Sequence, residues 1–176
     1  NGVLVGPIGT TIAIGKNFAG DTQNLGSFAP LATVLFNGTG TVGAPQLFEV
    51  LSGDKGNVGT GFDHNLAFYS LSLGNNTYVK LVDNSNNTPG AGAEAVYVNK
   101  LVVPSGTTLD LNGLKLYARA TQGTGLVTGG TISILPDGGP LVLDTVTSGR
   151  ISVVGEIDDW TIRMLYKLRQ NMWIFT

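Results

Sequence analysis

Leu71-Ser72-Leu73-Gly74-Asn75-Asn76-Thr77-Tyr78-Val79-Lys80-Leu81 is answered thirty residues later by Leu101-Val102-Val103-Pro104-Ser105-Gly106-Thr107-Thr108-Leu109-Asp110-Leu111. The apolar positions coincide, the turn residues coincide, and the slots between them vary. A fixed period of this size marks a repeat architecture, in which one turn of chain buries its apolar face against the next.

Alternation within each copy assigns faces. Thr77, Val79 and Leu81 share one side, as do Thr107, Leu109 and Leu111, and these are expected to point inward. Tyr78, Lys80, Thr108 and Asp110 are then expected to face solvent. So are Lys115, Tyr117 and Arg119 on the strand after the Asn112-Gly113 turn. Stacking the copies puts Val79 on Leu109 and Leu81 on Leu111. Each such buried residue contributes about 1.5–3 kcal/mol, against about 1–2 kcal/mol of backbone ordering per residue, so one coil needs neighbours.

The strands predict an all-β fold, and the matched inward positions across a turn favour a right-handed parallel β-helix. The alternative is an antiparallel β-sandwich, with Leu71–Leu73 and Thr77–Leu81 as hairpin arms. The Asn112-Gly113 dipeptide, a hairpin signal in general, speaks for that alternative.

Working outward, residues 1–46 read as a Gly-rich β segment of the same solenoid. Residues 47–145 form its core, and residues 146–176 form a truncated or atypical C-terminal segment. Ile132-Ser133-Ile134 and Leu141-Val142-Leu143, either side of Pro136-Asp137-Gly138-Gly139, suggest a drifted third copy. From Arg163 the glycines stop, and Leu165, Leu168 and Met172 fall at helical spacing. A short C-terminal helix capping an open sheet end and a reading-frame scar are the two readings of that break.

Charged residues make up only 12% of the chain, with 26 glycines and a net charge of −2. Typical domains carry about twice that charged share. Abundant Gly, Asn, Thr and Val fits short strands joined by tight turns. The charge provides no basic surface, so no nucleic-acid partner is expected. No apolar run approaches the roughly 18 residues of a membrane helix, so no membrane insertion is expected. Cysteine is absent, which removes disulfides, thiolate metal sites and a cysteine nucleophile. The start at Asn1-Gly2, without Met or leader, reads as a mature or excised piece.

The stretch from Leu47 to Ala120, above all the run from Val103 to Gly113, resembles the autotransporter-passenger-like β-helix segments of large secreted bacterial, adhesin-like proteins. Ser148-Gly149-Arg150-Ile151-Ser152 with Gly155-Glu156-Ile157-Asp158-Asp159-Trp160 looks like the opening of a pre-peptidase C-terminal-type domain. The resemblance implies a secreted or cell-surface scaffold with adhesive or carbohydrate-associated roles. It carries no catalytic motif.

The residues offer three further chemistries. Outward Tyr78 and Tyr117, with Lys80, Asp110, Lys115 and Arg119, suit contact with a polysaccharide or cell-surface glycan; strand propensity alone also explains exposed tyrosines. Glu49, Asp63 and His64 are the candidates for a polysaccharide-active or ester hydrolase. Solvated loop acids and a surface histidine are the plainer reading, because nothing in the sequence fixes the carboxylate separation that such chemistry needs. Calcium, the one cofactor considered, would draw on Asp54, Asp63 and Asp83 with neighbouring asparagines, although neither loop carries an EF-hand or calcium-roll pattern. The three sequons at Asn37, Asn75 and Asn86 read as turn chemistry. A non-catalytic extracellular scaffold is the leading expectation.

Overall fold

The computed structural model describes residues 4–25, 28–88 and 92–136. The expected C-terminal helix, the pre-peptidase-like opening and Leu141-Val142-Leu143 lie outside the described residues.

The chain is all-β, and almost every strand pair is parallel. A four-stranded sheet has β5 (Gln46–Glu49), β8 (Tyr78–Val82), β10 (Thr108–Asp110) and β12 (Leu126–Thr128) side by side in that order. A second sheet runs β2 (Thr11–Ile14), β4 (Thr33–Phe36), β7 (Phe68–Leu73), β9 (Glu94–Val102), β11 (Lys115–Gln122) and β13 (Ile132–Ile134). The short β6 (Ser52–Gly53) adds to β9, the one antiparallel strand pairing among the described residues. A separate parallel pair joins β1 (Leu4–Gly6) to β3 (Phe28–Pro30). From β4 onward, the short β6 apart, successive strands alternate between the two large sheets, which are not closed on one another.

The thirty-residue echo is physical. Val79 pairs with Leu109 in the four-stranded sheet, and Leu71 pairs with Leu101 in the other. Thr77, Val79, Leu81, Thr107, Leu109 and Leu111 are all buried, as the alternation required. Strands β7 and β8 therefore do not form a hairpin; each pairs with its counterpart in the next copy. This excludes the antiparallel sandwich. Asn112 and Gly113 do adopt positive φ, 51° and 78°, and Leu114 N–H donates to the Leu111 carbonyl at 2.8 Å. The tight turn is thus made, but it redirects the chain from one sheet into the other.

The corner turns repeat as well. Thr77 N–H donates to Gly74 O at 3.1 Å, and Thr107 N–H to Pro104 O at 3.1 Å. Gly106 has φ +85°, and a Cβ there would collide with Asn76 Oδ1 of the preceding turn. Asparagine amides tie successive copies together: Asn112 Nδ2 reaches Leu81 O at 3.1 Å, and Asn75 Nδ2 reaches Asn37 O at 3.3 Å.

A further rung follows in each sheet, at a shorter spacing than the echo. Leu109 pairs with Val127, only eighteen residues on, and Leu101 pairs with Thr121, twenty residues on. Ile132–Ile134 instead lies beside Leu116–Ala118. The connection from the four-stranded sheet to the larger one shrinks from eleven residues, 83–93, to four, 111–114, so a search at constant period passes over this rung. In the opposite direction, Val34 pairs with Leu71, thirty-seven residues on, because the segment from Ser52 to Asn65 lies between.

The main core lies between the two sheets. Leucine and valine fill it around Leu71, Val79, Leu109 and Leu116, and phenylalanines fill the end nearer β2. There Phe36 of one sheet meets Phe48 of the other at 4.7 Å between ring centroids, and Phe68 meets Phe48 edge-on at 5.4 Å. Such aromatic pairs add about 0.5–1.5 kcal/mol beyond area burial.

Candidate functional site

A second, smaller core lies outside the larger sheet, and it corrects the exposure expected of Tyr117. Tyr97 and Tyr117 occupy adjacent positions on β9 and β11 and point away from Val96, Val98, Leu116 and Ala118 of the main core. They are covered by the segment 54–63, whose short 3-10 turn, Gly59–Phe62, brings Phe62 against them. Tyr117 is only 6% exposed. The alternation was right about direction; a loop from earlier in the chain supplies the cover.

Polar contacts fasten this loop. The Tyr117 hydroxyl donates to Asp54 Oδ1 at 2.8 Å. The Tyr97 hydroxyl donates to Gly56 O at 2.7 Å and accepts from Lys55 N–H at 3.0 Å. Asn65 grips the loop base, donating to Gly61 O at 2.7 Å and accepting from Gly53 N–H at 2.9 Å. The two tyrosine rings stack at 4.7 Å. Burial first, then the Asp54 carboxylate, pushes both phenols up to about 12, with the Lys55 N–H partly opposing the rise at Tyr97. Gly61 sits directly over the Tyr97 ring, where a Cβ would overlap it.

Beside this loop is a cleft of about 110 Å³. Its floor includes Tyr69 on β7, Asn99 on β9 and Arg119 on β11. Tyr69 lies between the paired positions Phe68–Val98 and Ser70–Lys100, level with Asn99. Arg119 lies between Ala118–Val98 and Ala120–Lys100, again level with Asn99. The three therefore form a row across three strands. Arg119 lies 4.2 Å from the Phe62 ring centroid and donates from Nη1 to Asn99 Oδ1 at 2.8 Å. Phe28, Pro30, Leu31, Phe62 and Asn65 contribute to the walls. Burial raises the Tyr69 phenol above its ordinary value.

The six residues expected on one glycan face are divided between two sheets. Tyr78, Lys80 and Asp110 stand on the outer side of the four-stranded sheet, with Lys80 and Asp110 paired neighbours. The Tyr78 hydroxyl donates to Asp110 Oδ2 at 3.0 Å. Desolvation, then this bond, raises the Tyr78 phenol, and the Thr128 hydroxyl nearby acts in the opposite sense. Lys115, Tyr117 and Arg119 belong to β11 of the other sheet, because the corner at Asn112-Gly113 separates them. Lys115 is exposed and Arg119 partly buried.

Glu49 is not a solvated loop acid either. It is 3% exposed, and its Oε1 accepts from the backbone N–H groups of Asn84 and Ser85, both at 2.7 Å. Glu94, also 3% exposed, accepts from Thr88 N–H at 2.9 Å and from Asn87 N–H and Nδ2. Two buried carboxylates thus pin the turn from Asn84 to Thr88. Desolvation raises the Glu94 carboxyl above the ordinary range, the Asn87 and Thr88 hydrogen bonds pull it down, and the Asp83 charge pushes it up. Asp63 and His64 follow the 3-10 turn over the other sheet, with His64 at φ 47°. No hydrogen bond joins either to Glu49 among the described residues. Asp54, Asp63 and Asp83 do not converge, and no group of three or more His, Cys, Asp or Glu among the described residues is placed to hold a metal ion.

The sequence reading passed over Tyr69, Asn99, Tyr97, Phe62 and Glu94. A signal existed for the first two: they occupy one outward slot of the thirty-residue period. Phe62 carried none, since only the path of the loop brings it there. No helix among the described residues is long and apolar enough to cross a membrane. No family model matches the chain, and no curated protein or solved structure matches it either.

Proposed function

We propose that this chain is a segment of a right-handed parallel β-helix serving as a non-catalytic, adhesin-like scaffold, secreted or held at the cell surface. The observation that carries this reading is the pairing of residues thirty apart in both sheets, Val79 with Leu109 and Leu71 with Leu101. Parallel crossovers are right-handed in nearly all proteins, which supplies the hand. The spacing between paired residues widens to thirty-seven across the 52–65 segment and contracts to sixteen beyond Leu116. Val34 with Leu71 and Leu116 with Ile132 keep apolar inward positions across these changes, so length varies without disturbing the stack there. That tolerance suits a scaffold that presents loops.

The chain's hydrogen-bonded acids support the same reading. Glu49, Glu94 and Asp54 are engaged in fastening loops to the sheets. Glu49 is 3% exposed, and its Oε1 holds two backbone N–H groups of the following turn, an arrangement suited to anchoring that turn. Protease treatment of intact producer cells, followed by immunodetection of this segment, tests the reading. Loss of signal from intact cells, or recovery of the segment from the medium, is expected. A signal that falls only after lysis contradicts it.

A further inference from the structure

The geometry points to the cleft of Tyr69, Asn99 and Arg119 as a subsite for one carboxylate-bearing sugar ring of an acidic polysaccharide. This goes beyond the scaffold reading and uses a different sheet from Tyr78. The row places an aromatic ring, an amide and a guanidinium level with one another across three adjacent parallel strands. Neighbouring strands lie about 4.8 Å apart, so the row spans about 10 Å, the scale of a single substituted ring.

Each group matches one part of such a ring. An aromatic side chain offers an apolar face with a polar edge, suited to the C–H face of a pyranose. The Asn99 amide, its Oδ1 engaged by Arg119, offers its Nδ2 donors to hydroxyls. Arginine is the side chain whose planar fork matches a carboxylate. Its position is prepared before any ligand arrives: the Phe62 ring lies 4.2 Å from the guanidinium carbon and Asn99 Oδ1 holds Nη1 at 2.8 Å. Preorganisation of this kind lowers the ordering cost of binding. A cleft of about 110 Å³ is well below the roughly 300–1,000 Å³ of pockets that engulf drug-sized ligands. It fits one ring with its remaining face, and the rest of the polymer, in solvent. An extended acidic peptide would use the guanidinium but not the aromatic floor.

Isothermal titration calorimetry with trigalacturonate, maltotriose and a triglutamate peptide tests the assignment. Trigalacturonate is expected to bind, with affinity falling as salt rises, and maltotriose at least about tenfold more weakly. Arg119→Gln and Asn99→Ala should each weaken trigalacturonate by about tenfold or more, while Tyr78→Phe leaves it unchanged. Thermal melts of each variant separate loss of the site from loss of the fold; if Arg119→Gln unfolds the loop, Asn99→Ala decides. No binding of trigalacturonate overturns the proposal. So does equal binding of maltotriose or triglutamate, or wild-type affinity in the folded variants. These outcomes leave the cell-surface test above untouched.

Discussion

Val79 and Leu109 are paired on adjacent parallel strands, and both are completely buried. Thirty residues of chain separate them, enough to cross both sheets and return. Leu109 has a further partner in Val127 on its other side, so it sits in the middle of an aliphatic column that three copies of the repeat build together.

Replacing Leu109 therefore strikes three copies at once. Leu109→Asp puts an unpaired carboxylate into the column and is expected to cost more than about 3 kcal/mol. Asp110→Leu, one residue away on the outer face, loses the Tyr78 hydroxyl and Asn112 N–H as donors. Both bonds are partly hydrated, so the cost should be about 1 kcal/mol. Urea denaturation of the two variants checks this, and equal losses would mean that the face assignment is wrong.

The corner turns make a separate prediction. Gly106→Ala imposes left-handed backbone strain of about 1–2 kcal/mol and drives a Cβ into Asn76 Oδ1. Asn76→Ala removes the obstacle but not the strain. A double-mutant cycle should show that Gly106→Ala is milder in the Asn76→Ala background. Strict additivity would mean that the turns do not stack.

Alkaline titration reads the small core. Of the five tyrosines, Tyr97 and Tyr117 should ionise near pH 12 by absorbance. Asp54→Asn removes a charge that raises Tyr117, and should bring that phenol down. The unfolded phenol titrates near 10, below the folded value. The stability these groups contribute is therefore complete below about pH 10 and lost as pH rises toward 12. Gly61→Val, which pushes the loop off Tyr97, should return both phenols toward 10.

Glu94 behaves in the same sense at acid pH. Its folded carboxyl is raised by desolvation, so the folded state holds the proton more tightly than the unfolded chain. Its contribution to stability is largest below the unfolded carboxyl value and declines as pH rises through the raised folded one. Comparing wild type with Glu94→Gln by urea denaturation from pH 4 to 7, the wild-type advantage should shrink as pH rises. An advantage that grows with pH would reverse the assigned direction.

Much of the stacking was legible because it is written at a constant interval. Val79 and Leu109 share inward parity and spacing, and the turns before them are both built from turn-forming residues, Gly74-Asn75-Asn76 and Pro104-Ser105-Gly106. The next rung was not legible, because the short connection at Asn112-Gly113 replaces the long one after Val82 and moves Val127 out of period. Exposure was legible only where nothing folds back. Tyr78 and Tyr117 look alike in sequence, yet Tyr117 lies under a segment that begins at Asp54. Glu49 looked like a loop acid for a related reason: its two donors, Asn84 and Ser85, belong to the following copy. Periodicity reports which way a side chain points, and the intervening loops decide what it meets.

Methyl-labelled NMR of Val and Leu measures the column directly. Leu109 should show strong cross-peaks to both Val79 and Val127, its partners thirty residues before and eighteen after. Cross-peaks from Leu109 to neither, with contacts instead to a hairpin partner in Leu101–Val103, would contradict the stacked parallel architecture.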